Sequence, residues 1–174
     1  PMRVQSSSSR STPMRPAILA AAAVPYAAPE VNGPLRLLVV GGSQGARIMA
    51  DIVPGAIERL EPALWSRLVL TQQVRDEDMG RVRAVYDRLK IQVELAPFFT
   101  DLPARLASNH LVVSRSGAGT VAELAAIGRP SILVPLPGAI DQDQFANAGV
   151  LAKVDGAIRI PQTEFTSDRL ASEI

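Results

Sequence analysis

The chain of 174 residues contains no cysteine. That excludes disulfides, thiolate catalysis and cysteine-ligated metal, and it is compatible with a reducing compartment. Basic residues number 18 and acidic residues 17, so there is no electrostatic footprint for nucleic acid or an anionic membrane. No stretch reaches the roughly 18 apolar residues of a membrane span. The best lookalike, Ile18-Leu19-Ala20-Ala21-Ala22-Ala23-Val24, follows Arg3, Arg10, Arg15 and a serine run, a superficial targeting pattern. Because the chain starts at Pro1, residues 1–34 read instead as an interdomain linker leading into a short helix. The chain ends at Ser172-Glu173-Ile174, in the first turns of a further helix, and reads as cut at both ends. Aromatics are scarce, at 4%. The apolar content is mainly Ala, Leu and Val, which suits a buried sheet covered by helices.

Two nucleotide signatures are missing as well. No Gly-Lys-Ser or Gly-Lys-Thr occurs, so there is no phosphate-binding lysine loop. The dinucleotide fingerprint needs Gly-x-Gly-x-x-Gly and an acid about 20 residues on. Here the turn reads Gly41-Gly42-Ser43-Gln44-Gly45, and the stretch where the second strand ends, Leu70-Thr71-Gln72-Gln73, offers no acid.

What is present is an alternation of apolar runs and amphipathic stretches over residues 35–174, read as one domain. Strands are expected at Leu35–Val40, Arg67–Leu70, Ile91–Leu95, Leu111–Ser114, Ser131–Val134 and Ala157–Ile160. The first and fourth are continuous apolar runs, as central parallel strands require. Met79, Val82, Tyr86 and Leu89 make one helical stripe. Another, around Val121, Leu124 and Ile127, ends at Gly128 in a C-cap position before Pro130. Pro103 falls in the first turn of a short helix, Leu102 to Leu106, where its missing donor costs little. Pro54 is expected to kink or restart the helix after Gly45 near Val53. The alternation predicts an α/β, doubly wound, Rossmann-like parallel sheet in the order 3-2-1-4-5-6.

In that order strands one and four are neighbours, and each ends in a glycine turn that opens a helix. One is Gly41-Gly42-Ser43-Gln44-Gly45-Ala46-Arg47; the other is Ser114-Arg115-Ser116-Gly117-Ala118-Gly119-Thr120-Val121-Ala122-Glu123. Such turns offer bare N–H groups and a helix dipole to an anion. A single glycine turn is a weak signal. Two of them, with Asp141-Gln142-Asp143-Gln144-Phe145-Ala146-Asn147-Ala148 further on, point to a nucleoside-diphosphate site. Asp141 and Asp143 suggest a metal pair, but on a helix residues two apart diverge by about 200°, so an acidic helix start is the simpler account. Thr120 and Glu123 match a capping box; alternatively Glu123 accepts hydrogen bonds from ribose hydroxyls. His110 reads as a surface or turn residue, Trp65 and Tyr86 as packing residues.

Together these segments resemble the C-terminal domain of the MurG family, bacterial enzymes that join N-acetylglucosamine to a lipid-linked muramyl-pentapeptide. The resemblance spans about Gly33 to Ile174, and Arg129-Pro130-Ser131-Ile132-Leu133-Val134-Pro135-Leu136-Pro137-Gly138 is similar to the alphaproteobacterial branch. It implies the C-terminal half of a GT-B glycosyltransferase, with UDP-GlcNAc as substrate and no cofactor or metal. By position, Ser43 would bond a diphosphate oxygen and Phe99 would flank the uracil through its backbone. Ala118, Gly119 and Thr120 would offer the helix N-terminus to the phosphates. Glu123 would hold the ribose and Gln144 the sugar hydroxyls, with Asn147 in support. No catalytic residue is assigned here. The base, and contact with the undecaprenyl-linked acceptor, would belong to an N-terminal domain absent from this chain. The resemblance also implies a cytoplasmic enzyme, peripheral on the inner face of the membrane. Departures from the family pattern are Gly119, where a small polar residue or Leu is usual, the Lys153-Val154-Asp155-Gly156 stretch, and the junction. The junction's arginine is matched to neither Arg3 nor Arg15. A donor-binding subunit of a split glycosyltransferase, a glycolipid synthase or a UDP-GlcNAc epimerase remain open alternatives.

Overall fold

The computed structural model describes residues 15–42, 47–138 and 142–174, with Gln142 described in its main chain only. Six strands form one parallel sheet: β1 (Leu35–Val40), β2 (Leu68–Gln73), β3 (Gln92–Ala96), β4 (Leu111–Ser114), β5 (Ser131–Leu133) and β6 (Ala157–Arg159). Their order is β3-β2-β1-β4-β5-β6, as the alternation predicts. Alternate side chains of a strand face opposite sides of a sheet, and β1 shows the consequence. Leu37 and Val39 pack with α2 (Arg47–Glu58), α4 (Asp76–Leu89) and α8 (Ser167–Glu173). Leu38 and Val40 pack with α1 (Pro16–Ala22), α5 (Leu102–Ser108), α6 (Ala118–Ile127) and α7 (Gln142–Ala152). A four-residue helix, α3 (Pro62–Trp65), bridges α2 and β2. Its Trp65 is partly buried and its indole N–H donates to the Ile57 carbonyl at 2.8 Å.

Two local expectations need correction. The helix α2 runs unbroken through Pro54 rather than restarting near Val53. Pro54 cannot donate to the carbonyl four residues back, and the Arg81 guanidinium on α4 donates to that Ala50 oxygen instead, at 3.1 Å. The strand β2 continues three residues past Leu70, because Thr71, Gln72 and Gln73 pair with Glu94, Leu95 and Ala96. Gln72 is fully buried there, accepts from the Tyr86 hydroxyl at 2.5 Å and donates to the Met49 carbonyl at 3.4 Å. A polar run was thus carried inside by partners that lie far off in sequence.

Candidate ligand-binding site

Register places Val40, at the end of β1, beside Ser114, at the end of β4. Both glycine turns therefore leave the same edge of the sheet. At the first, Gly42 has φ +79°, a conformation L side chains rarely adopt. The Gly41 N–H donates to Gln73 Oε1 at 3.0 Å, and Gln73 Nε2 donates to the Pro97 carbonyl at 3.1 Å. The end of β2 thus pins the first turn. Ser43 lies outside the described residues.

The second turn is tied down from three sides. Arg115 is buried and donates to the Val134 and Pro135 carbonyls, each at 3.2 Å, and to Gln162 Oε1 at 2.5 Å. Ser116 Oγ donates to the Gln144 carbonyl at 2.7 Å, and Asn147 Nδ2 donates to the Ser116 carbonyl at 3.3 Å. Gln144 Oε1 accepts from the Leu136 N–H at 3.0 Å. The start of α7 and the loop after β5 are therefore fastened to the loop that opens α6.

Gly117 is the N-cap of α6 and brings no side-chain acceptor. The first N–H groups of a helix have no intrahelical partner, so this terminus is left available to an anion. The placement also overturns the capping-box alternative. Thr120 is the third residue of α6 rather than its cap, and Glu123 sits in the second turn, out of reach of the cap position. The Glu123 carboxylate instead accepts from Arg15 Nη2 at 2.6 Å.

Two adjoining clefts open here. One, of about 740 Å³, is lined among others by Gly41, Gly42, Gly117, Gly119, Thr120 and Gln144, with three arginines, Arg47, Arg75 and Arg115, against one carboxylate, Asp51, which is paired with Arg81. The other, of about 300 Å³, is bounded by Val40, Phe98, Phe99, Leu102, Gln73 and Glu123, and shares Gly42, Gly119 and Thr120 with the first. A polar, cationic chamber thus runs into a more apolar one. Of the residues singled out from sequence, Phe99, Gly119, Thr120, Glu123 and Gln144 come together around this pair. Ala118 is exposed at the first position of α6, and Asn147 lies one turn behind Gln144. The Phe99 ring is buried in the core under the Arg105 guanidinium, 4.3 Å away. It is Phe98 whose side chain is largely exposed.

At Gly119 a Cβ would meet nothing within 4 Å, so this turn has room for a side chain. Asp143 is exposed in the first turn of α7, and Asp141 lies outside the described residues. Among the described residues no three His, Cys, Asp or Glu side chains gather as a metal site. His110 stands at the opposite end of the sheet, where Nδ1 accepts from the Arg36 N–H at 3.0 Å. Burial, and next the nearby Arg36 cation, push its pKa below the usual imidazole value. The sequence gives no role to Gln73, Arg115 or Gln162. A polar strand end was the only hint of Gln73, and nothing local marks Arg115 as buried.

The residues 36–174 match the model of the glycosyltransferase family 28 C-terminal domain. A curated relative from Bradyrhizobium diazoefficiens, named UDP-N-acetylglucosamine–N-acetylmuramyl-(pentapeptide) pyrophosphoryl-undecaprenol N-acetylglucosamine transferase, is 94% identical over 163 residues, covering 94% of this chain and 44% of that relative. A relative of the same name from Nitrobacter hamburgensis is 75% identical over all 174 residues, covering 47% of its own length. The chain thus spans about half the length of the curated relatives it matches. Among solved structures, MurG of Acinetobacter baumannii superposes with a TM-score of 0.74 at 30% identity, over 85% of this chain and 44% of that one. The fold is that of the C-terminal half of a GT-B glycosyltransferase, and the chain belongs to glycosyltransferase family 28 as its C-terminal domain.

Proposed function

We propose that this chain is the donor-binding half of an enzyme that moves N-acetylglucosamine from UDP-GlcNAc to a lipid-linked N-acetylmuramyl-pentapeptide, in peptidoglycan synthesis. The observation that carries the reading is the convergence of both glycine turns and the uncapped start of α6 on one arginine-lined cleft. The relatives' names supply the sugar and the acceptor. In this reading the diphosphate lies against Ala118, Gly119, Thr120 and Ser43, and Glu123 holds the ribose in the smaller cleft. Phe99 presents main chain to the uracil. Gln144 meets the sugar hydroxyls, and Asn147 steadies the loop at Ser116 beside it.

The chemistry follows from that placement. The acceptor hydroxyl attacks the anomeric carbon, the bond from that carbon to the diphosphate oxygen breaks, and UDP leaves with the electron pair. Helix N–H groups and the cleft arginines stabilise the charge that builds on the departing diphosphate, a preorganised electrostatic contribution. The base that takes the hydroxyl proton, and the contacts to the undecaprenyl-linked acceptor, are assigned to an N-terminal domain not contained in these 174 residues. The enzyme would work at the cytoplasmic face of the membrane as a peripheral protein; among the described residues no helix is long and apolar enough to cross a bilayer. No cofactor enters this scheme. Calorimetry with UDP, UMP and NAD tests the site: UDP is expected to bind more tightly than UMP, because the second phosphate meets most of the donors. Equal affinities for UDP and UMP, or a preference for NAD, would overturn the assignment.

A further inference from the structure

We infer that Gln73 is a positioning residue that sets the spacing between the first glycine turn and the Pro97-Phe98-Phe99 stretch, and acts on the nucleotide only through the main chain it holds. The inference rests on the proposed function, which puts the diphosphate at that turn and the uracil at the main chain of Phe99. The two segments leave strands that do not touch. The glycine turn follows β1 and the Pro97 stretch follows β3, with β2 between them in the sheet. Among the described residues no main-chain hydrogen bond joins one segment to the other.

Gln73 is the last residue of the middle strand, in register with Ala96. From there its amide reaches both ways. Its Oε1 accepts from the Gly41 N–H at 3.0 Å, while Nε2 donates to the Pro97 carbonyl at 3.1 Å and, more weakly, to the Gly42 carbonyl at 3.4 Å. The amide oxygen and both amide hydrogens can thus be engaged by these two segments. Each bond falls where the main chain has little else to fix it. Behind Pro97, the Ala96 carbonyl accepts from the Val74 N–H at 3.0 Å; ahead of it, the Phe99 ring is buried in the core. Pro97 itself has no N–H, so its carbonyl is the one main-chain group it can offer, and Gln73 takes it. On the other side Gly42, at φ +79°, belongs to the residue type with the most backbone freedom to lose. A ligand that meets both segments at once gains from finding them already at a fixed separation. A ligand that meets only one gains little.

The test compares ligands that span both segments with ligands that reach one. UDP is titrated by calorimetry into the 174-residue chain, and uridine and inorganic pyrophosphate are measured by displacement against it. Gln73→Met keeps the length of the side chain and removes all three bonds. With each neutral hydrogen bond contributing modestly, it is expected to weaken UDP by about fivefold, and uridine and pyrophosphate each by less than about twofold. Gln73→Glu can still accept from Gly41 but, ionised, cannot donate to Pro97. It should show the same selective loss for UDP while pyrophosphate is unchanged, and it carries the test if Gln73→Met does not fold. Equal losses for all three ligands, or a loss for uridine as large as that for UDP, would mean that Gln73 shapes one surface or touches the base itself, and would overturn the inference. Unchanged UDP affinity in both variants, or failure of both to fold, would overturn it equally while leaving the UDP site in place. Failure of the unmodified chain to bind UDP would defeat the nucleotide reading and this inference with it.

Discussion

At the scale of single residues, the questions gather on Glu123 and His110. Glu123 is free of capping duty, so Glu123→Gln removes a charged acceptor with little structural consequence. Hydrogen bonds to charged groups contribute about 1.5–3 kcal/mol against about 1 for neutral ones. UDP affinity should therefore fall by about tenfold, with thermal stability almost unchanged. Intact affinity together with a clear drop in melting temperature would make Glu123 a structural residue only. His110 allows a pH prediction with a definite sign. Its Nδ1 accepts a main-chain hydrogen bond, which a protonated imidazole cannot do. Its folded pKa is depressed below 6.5, first by burial and then by Arg36. The neutral form is thus favoured by folding: its contribution is complete above the unfolded value and lost as pH falls through the folded one. Denaturant titrations should show the unmodified chain losing more stability than His110→Gln between neutral and acidic pH. Parallel losses in both proteins would remove His110 from the account.

At the scale of elements, α6 separates glycines needed for backbone conformation from one that is not. Gly128 ends the helix at φ +69°, its N–H donating to the Leu124 carbonyl at 2.8 Å. Gly119 lies inside the helix with open space where a Cβ would stand. Gly128→Ala should cost about 1 kcal/mol, because a side chain resists the left-handed region. Gly119→Ala should stabilise by about 0.5–1 kcal/mol through lost freedom in the unfolded chain. Melting curves that move in the same direction for both would contradict this assignment. The C-cap was legible because Gly followed by Pro after an apolar stripe leaves few alternatives. The other end was not. A Thr-x-x-Glu pattern fits a capping box only if Thr is the cap, and here the turn runs on to Gly117 before the helix starts. Pro54 likewise stays within its helix because Arg81, a residue of another element, takes up the freed carbonyl.

At the scale of the whole molecule, the sheet order followed from the strand–helix alternation together with the order common to doubly wound sheets, and continuous apolar runs marked strands covered on both faces. The edge of the site could not be read in that way, because Gln73 and Arg115 act through partners in the loops that follow other strands. Those tertiary contacts also bear on whether the cleft needs a metal. A diphosphate carries charge that something must offset, and divalent cations bridging paired carboxylates are one common means. This cleft holds Arg47, Arg75 and Arg115 together with the uncapped start of α6. Asp143 is exposed on the first turn of α7, where an acid is favoured by the helix dipole without any ion. UDP affinity should accordingly be the same in excess EDTA as with Mg²⁺ or Mn²⁺ present, and Asp143→Ala should leave it unaltered. Added salt, by contrast, should weaken binding, since guanidinium–phosphate attraction at an open cleft is screened over about 8–10 Å at ordinary ionic strength. A metal-dependent affinity that Asp143→Ala abolishes, in a variant that still melts cooperatively at the unmodified temperature, would replace the arginine account with a bridging cation held at the start of α7.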